Sequence, residues 1–247
     1  MKKLYEKNQL AFALVWIGIY CALQSAAYSL DDLIGVRNAA GAVLCAAQAA
    51  ALLAFLKKNG LFEAYGLCRP RPPARRFLYY ISLAALATCN LWNGAAAALP
   101  PADAACHIAL MLCVGFVEEL IFRGFLYRAI ARENERAAVA VSSLTFGLGH
   151  LLNLVNGSGM DLAANLFQVA AAMAFGFLFV VLFSRGGSLL PCIAAHAVIN
   201  ITSAFANEAA MTPQHRAVSG LATLALAVAY ALALTKTLPP PSAEKNR

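Results

Sequence analysis

Charge is too scarce in this sequence to clothe a soluble globule. Lys and Arg number 19 and Asp and Glu 12 among 247 residues, while 61% of the chain is hydrophobic. Soluble domains carry about 25% charged residues, and the 13% present here cannot cover a globule of this size. The same shortage excludes a disordered chain and a coiled coil. The net charge of +7 raises nucleic acid as a partner. No basic patch is interleaved with aromatics, however, so nucleic acid is set aside and the basic residues are read as membrane-orientation signals.

A bilayer span takes about 20 apolar residues, and eight would use about 160. The apolar runs lie near 9–30, 38–56, 76–98, 104–127, 137–155, 162–183, 188–206 and 216–235. Polar punctuation separates them: Asp31-Asp32, Lys57-Lys58-Asn59-Gly60, Pro100-Pro101, Arg132 to Arg136, Asn156-Gly157-Ser158-Gly159, Arg185-Gly186-Gly187 and Pro213. Pro239-Pro240-Pro241 follows the last run. The first run is long for a signal peptide and is followed by further spans, so it reads as a retained helix. The expected fold is all-α: one polytopic transmembrane bundle of about eight spans over residues 1–247.

With the N-terminus inside, 16 basic residues fall in cytoplasmic loops and only Arg37 and Arg216 outside. Both termini are therefore expected in the cytoplasm. The basic cluster from Arg69 to Arg76 is part of that signal. The chain shows no internal repeat of the kind that builds inverted-repeat transporters. Its seven cysteines form no C-x-x-C pattern, and Cys21, Cys45, Cys89, Cys106, Cys113 and Cys192 read as small apolar residues.

Three charges fit no loop. Glu118, Glu119 and Arg123 sit inside the fourth span. Each ionisable group at mid-membrane costs about 2.5–3.5 kcal/mol on insertion scales. Glu119 and Arg123 are four residues apart and can pair on one helix face. Glu118 points about 100° away, has no sequence-local counter-ion, and suits a proton acceptor. The fifth span carries Phe146 and His150, also four apart, with Gly147 and Gly149 expected to permit close helix approach. The seventh carries His196 and Asn200 at the same spacing. His107 and His215 are expected near the outer interface without a role.

At 1.5 Å per residue, Glu118 and His150 lie about 18 and 20 Å from the cytoplasmic ends of their helices, and His196 about 10 Å. The three can line one cavity, expected to open toward the cytoplasm. A carboxylate, two imidazoles and a carboxamide make a hydrolytic set: Glu activates water, and His or Asn holds an oxyanion.

Glu118-Glu119-x-x-x-Arg123, Phe146-x-x-x-His150 and His196-x-x-x-Asn200 resemble the three motifs of the CAAX prenyl endopeptidase and bacteriocin-processing (CPBP, or Abi) intramembrane proteases. The flanking Glu119-Leu120-Ile121-Phe122-Arg123-Gly124 and Gly187-Ser188-Leu189-Leu190 agree. The resemblance covers about 104–206, the expected catalytic core. It implies an endopeptidase in which Glu118 activates water and His150 holds that water. Glu119, held by Arg123, would assist, and His196 and Asn200 would stabilise the oxyanion. Phe146 would support His150.

The resemblance leaves zinc open beside a metal-free glutamate mechanism, the form expected here. Without H-E-x-x-H, zinc would need ligands from separate helices, with Glu118, Glu119, His150 and His196 as candidates. The substrate would be a peptide or membrane protein at the bilayer. The setting would be a multi-pass plasma membrane, bacterial inner membrane by the compactness of the chain, where bacteriocin or leader-peptide processing and self-immunity are expected roles. The alternatives are a non-catalytic membrane immunity or scaffold protein of the same fold, and a proton-coupled transporter built on the same Glu and His.

Overall fold

The computed structural model describes residues 1–156 and 159–238. Gly157, Ser158, the triproline 239–241, Lys245 and Arg247 lie outside the described residues. Among the described residues the structure is helical, with one isolated antiparallel bridge between Ala95 and Ala206.

A short helix at Lys2–Lys7 leads into α1 (Gln9–Ile34) and α2 (Ala39–Asn59). α3 (Ile81–Ala87) is short. α4 (Pro101–Glu119) continues unbroken through a π-helical segment, Leu120–Tyr127, and a last turn, Arg128–Ala131. Then come α5 (Glu135–Gly149), α6 (Leu162–Gly186), α7 (Leu190–Ser203) and α8 (Pro213–Thr237).

The starts are written in capping residues. Asn8, Asn134 and Asp161 accept from Ala11 N, Ala137 N and Ala164 N at 2.9, 3.0 and 2.9 Å, each satisfying an orphan amide of its helix. Pro101 and Pro213 occupy first turns, where no amide donor is needed. α6 stops at Gly187, whose φ of +70° suits a left-handed cap.

Six helices are long and apolar enough to cross a membrane: α1, α2, α4 through Ala131, α5 continued to Val155, α6 and α8. In the other two expected spans, 76–98 and 188–206, the α-helices are short: the 7-residue α3, flanked by 3-10 turns, and the 14-residue α7. Leu78, Tyr79 and Tyr80 take φ of +51°, +52° and +58°. Left-handed backbone disfavours side chains with a β-carbon and cannot propagate a right-handed helix, so α3 starts late. Thr88 ends it by turning its hydroxyl onto the Ala84 and Ala85 carbonyls.

Loop contacts nevertheless sort into two ends. At one, Tyr65 donates to Tyr5, Arg71 N to Gly186 O, Leu189 N to Gly66 O, and Arg76 Nη1 to Thr237 O. This end carries the basic loops. At the other, Arg37 N donates to Asp103, Ala96 N to Phe205 O, and Asn207 N to Gly94 O. Short α3 and α7 therefore also join opposite ends, and they pack against one another. Aromatic packing fills the basic end: Phe12 meets Tyr5, Phe55 and Phe125 at centroid distances of 5.3, 5.0 and 5.0 Å, and Tyr65 meets Phe125 at 4.8 Å.

Candidate functional site

Glu118 and Glu119 sit where α4 changes from α to π winding. π turns inside α-helices are frequent at functional sites. Every residue of the π segment is buried, and Ser142 of α5 donates to the Phe122 carbonyl at 2.9 Å within it. Arg123, in this segment, reaches back to Glu119 Oε1 at 3.0 Å, with both side chains fully buried. The expected pair is thus present. Gly176 of α6 leaves room for the guanidinium: a Cβ there would lie 3.4 Å from Arg123 Nη2.

His196 joins the two acids. Its Nδ1 lies 2.8 Å from Glu119 Oε1 and its Nε2 3.4 Å from Glu118 Oε2. The ring can donate to both carboxylates only as an imidazolium. The close approach is made by Gly115, whose Cβ, if present, would lie 2.9 Å from Ala197 N of α7. Glu118 is not left unpartnered: Tyr20 of α1 donates its hydroxyl to Oε1 at 2.5 Å.

Phe146 wedges the cluster. Its ring lies 5.3 Å from that of His150 and 5.7 Å from that of His196, and the Arg123 guanidinium carbon stands 4.0 Å above it. This face-on contact supplies a cation–π attraction to a charge that has little else to bind in a desolvated place. His150 Nδ1 is 3.1 Å from the Phe146 carbonyl. A carbonyl only accepts, so the proton sits on Nδ1 and a neutral ring keeps its Nε2 lone pair free. Gly147 brings α5 against α6, since its Cβ would lie 2.9 Å from Val169 O. Gly149, expected to do the same, does not: nothing lies within 4 Å of its Cβ position.

Two cavities meet along His150 and Asn200. One, of about 310 Å³, is lined by Tyr20, Glu118, Phe146, His150 and Asn200, and reaches Asp31, Asn38 and Asn156. The other, of about 470 Å³, is lined by Phe167, Phe175, Phe179, His150, His196 and Asn200. Glu118, His150 and Asn200 thus share one cavity, and His196 faces the second. The cavity was expected to lead toward the basic end. It leads to the opposite end instead, because the aromatic cluster around Phe12 and Phe125 closes the basic side.

Among the described residues, no group of three His, Cys, Asp or Glu side chains converges as a metal site. Glu119 Oε1 is shared by Arg123 and His196, and both His196 nitrogens face carboxylates. Glu119 and His196 are thus already committed to one another.

Three contributors escape sequence reasoning. Tyr20 is one. His107, read as an interfacial residue, is buried, with Nε2 2.9 Å from the Asn200 carbonyl, and so ties α4 to the turn carrying Asn200. Asn165, fully buried, donates to the His150 carbonyl at 2.9 Å. Asn165 and Gln168 are the polar residues of an otherwise apolar stretch, which is a readable signal. Tyr20 carries none, since its partner is 98 positions away. His215 is exposed at the start of α8, as expected.

Fold and site together define a polytopic helical membrane protein with paired acids and imidazoles buried inside the bundle. Residues 100–202 match the family described as "Type II CAAX prenyl endopeptidase Rce1-like". The match spans all three motifs and agrees with their CPBP resemblance. No curated protein and no solved structure matches the chain.

Proposed function

We propose that this protein is an intramembrane endopeptidase that hydrolyses a peptide bond with a water activated by Glu118. The observation that carries the reading is the shared cavity: Glu118, His150 and Asn200 line one space, with Glu118 fixed from two sides by Tyr20 and His196. Glu118 takes a proton from water while His150 Nε2 accepts that water's second hydrogen as a hydrogen bond. The hydroxide attacks the scissile carbonyl; Asn200 donates to the oxyanion, and the Nε2–H of His196, released from Glu118 once that carboxylate has taken the proton, turns to join it. Collapse breaks the C–N bond, and Glu118 passes its proton to the departing amine. Glu119 and Arg123 hold His196 in place. No metal enters any step.

The orientation favoured by the basic loops puts the N-terminus and the end of α8 on the cytoplasmic side of a plasma membrane. The substrate class is a peptide or the membrane-proximal part of a membrane protein. The test is a comparison of peptide N-termini in membranes of cells expressing the parental chain, Glu118→Ala or His150→Ala. New N-termini present only with the parental chain are expected. Identical sets in all three would favour a non-catalytic immunity or scaffold role.

A further inference from the structure

We propose that the site is served from the extracytoplasmic side, so that its substrates are exported peptides or outward-facing segments of membrane proteins. The substrate class rests on the peptidase reading above; the sidedness does not. Two independent observations carry it.

The first is the position of the mouth. From Tyr20 and Glu118 the polar cavity runs toward Asp31, Asn38, Asn156 and Ser203. Arg37 and Asp103, joined at 3.3 Å, mark the same end. In the other direction the path is closed. Phe12 and Phe125 are almost fully buried, and the whole stretch Leu120–Tyr127 is buried behind Glu118. A peptide entering from that side would have to displace close-packed aromatic rings, which have no free volume to yield. The second cavity also reaches the mouth end, through Asn93, Glu208 and Arg216.

The second observation is charge. The closed end carries Lys57, Lys58, Arg69, Arg71, Arg75, Arg76, Arg132, Arg136 and Arg185, whereas Arg37 and Arg216 are the basic residues of the mouth end. Basic loops stay cytoplasmic, so the mouth faces outward. A cytoplasmic chain, including one modified at its C-terminus there, has no route to Glu118. A segment already across the membrane has one.

The experiment uses intact cells and inside-out vesicles carrying the full chain, treated with a membrane-impermeant charged methanethiosulfonate, with modified thiols located by mass spectrometry. Cys21 is a native probe inside the polar cavity. Ser203→Cys marks the exposed rim, and Lys58→Cys marks the basic end. The expected result is modification of Cys21 and of Ser203→Cys in intact cells, and of Lys58→Cys in inside-out vesicles alone. Three results would overturn the proposal: Cys21 reacting only in inside-out vesicles, Lys58→Cys reacting in intact cells, or Cys21 reacting from neither side while the rim reacts from outside. None depends on proteolysis. If Glu118→Ala kept full cleavage, the peptidase reading would fall and the sidedness would stand.

Discussion

The hydroxyl of Tyr20 donates a 2.5 Å hydrogen bond to Oε1 of Glu118. It joins α1, which lies outside the family match at 100–202, to the first of the paired acids inside it. Hydrogen bonds to charged groups contribute about 1.5–3 kcal/mol. If the bond fixes the carboxylate for proton transfer, Tyr20→Phe lowers kcat about tenfold to a hundredfold and leaves KM nearly unchanged. Steady-state kinetics on a substrate found by N-terminal comparison decide it; an unaltered kcat removes Tyr20 from the site.

The Glu119–Arg123 pair is fully buried at 3.0 Å. Removing one partner of such a pair strands the other charge, at a cost of about 3–5 kcal/mol. Arg123→Met should therefore lower the unfolding temperature in detergent sharply. The double variant Glu119→Gln, Arg123→Met should recover part of the loss, because no charge is left uncompensated. A double variant worse than both singles would mean that the pair does not act as a unit.

Helix approach gives a paired test. A Cβ at Gly115 would lie 2.9 Å from Ala197 N, while Gly149 has open space. Overpacking costs about 1–3 kcal/mol, so Gly115→Ala should destabilise the bundle by that order and Gly149→Ala should barely change it. Thermal unfolding of the two variants checks the contrast. Gly115→Ala should also cut activity, since it moves His196 away from the acids.

For the peptidase proposed here, the donor set predicts the response to chelators. With Glu119 and His196 bonded to each other, strong chelation should leave turnover unchanged, and metal analysis of the active protein should find no stoichiometric zinc. Loss of activity that added zinc restores would overturn the metal-free mechanism.

What was legible in the sequence was what the membrane forbids. Glu118, Glu119 and Arg123 stood out because bilayers reject charge, and the spacing of Glu119 to Arg123 gave their pairing directly. The polar spacings Phe146–His150 and His196–Asn200 gave the other two walls of the site. Contacts between distant helices were not legible. Nothing in an apolar run marks Tyr20 as the partner of Glu118 or His107 as the support of Asn200. Hydropathy also hides backbone conformation: residues 76–98 are apolar enough for a span, yet the left-handed turn at 78–80 delays the α-helix, which runs only over the 7 residues of α3. The direction of the cavity depended on aromatic packing between Phe12, Phe55, Tyr65 and Phe125, which no linear pattern announces.

The central claim is that Glu118 activates the water that cleaves the peptide bond. Its most direct measurement is the turnover of one defined substrate by the parental chain and by Glu118→Gln, both reconstituted in proteoliposomes and shown to unfold at similar temperatures. The amide cannot accept the proton, and loss of a general base costs about 10²–10⁴ in rate, so Glu118→Gln is predicted to fall by that order. Cleavage by Glu118→Gln at the parental rate would contradict the account.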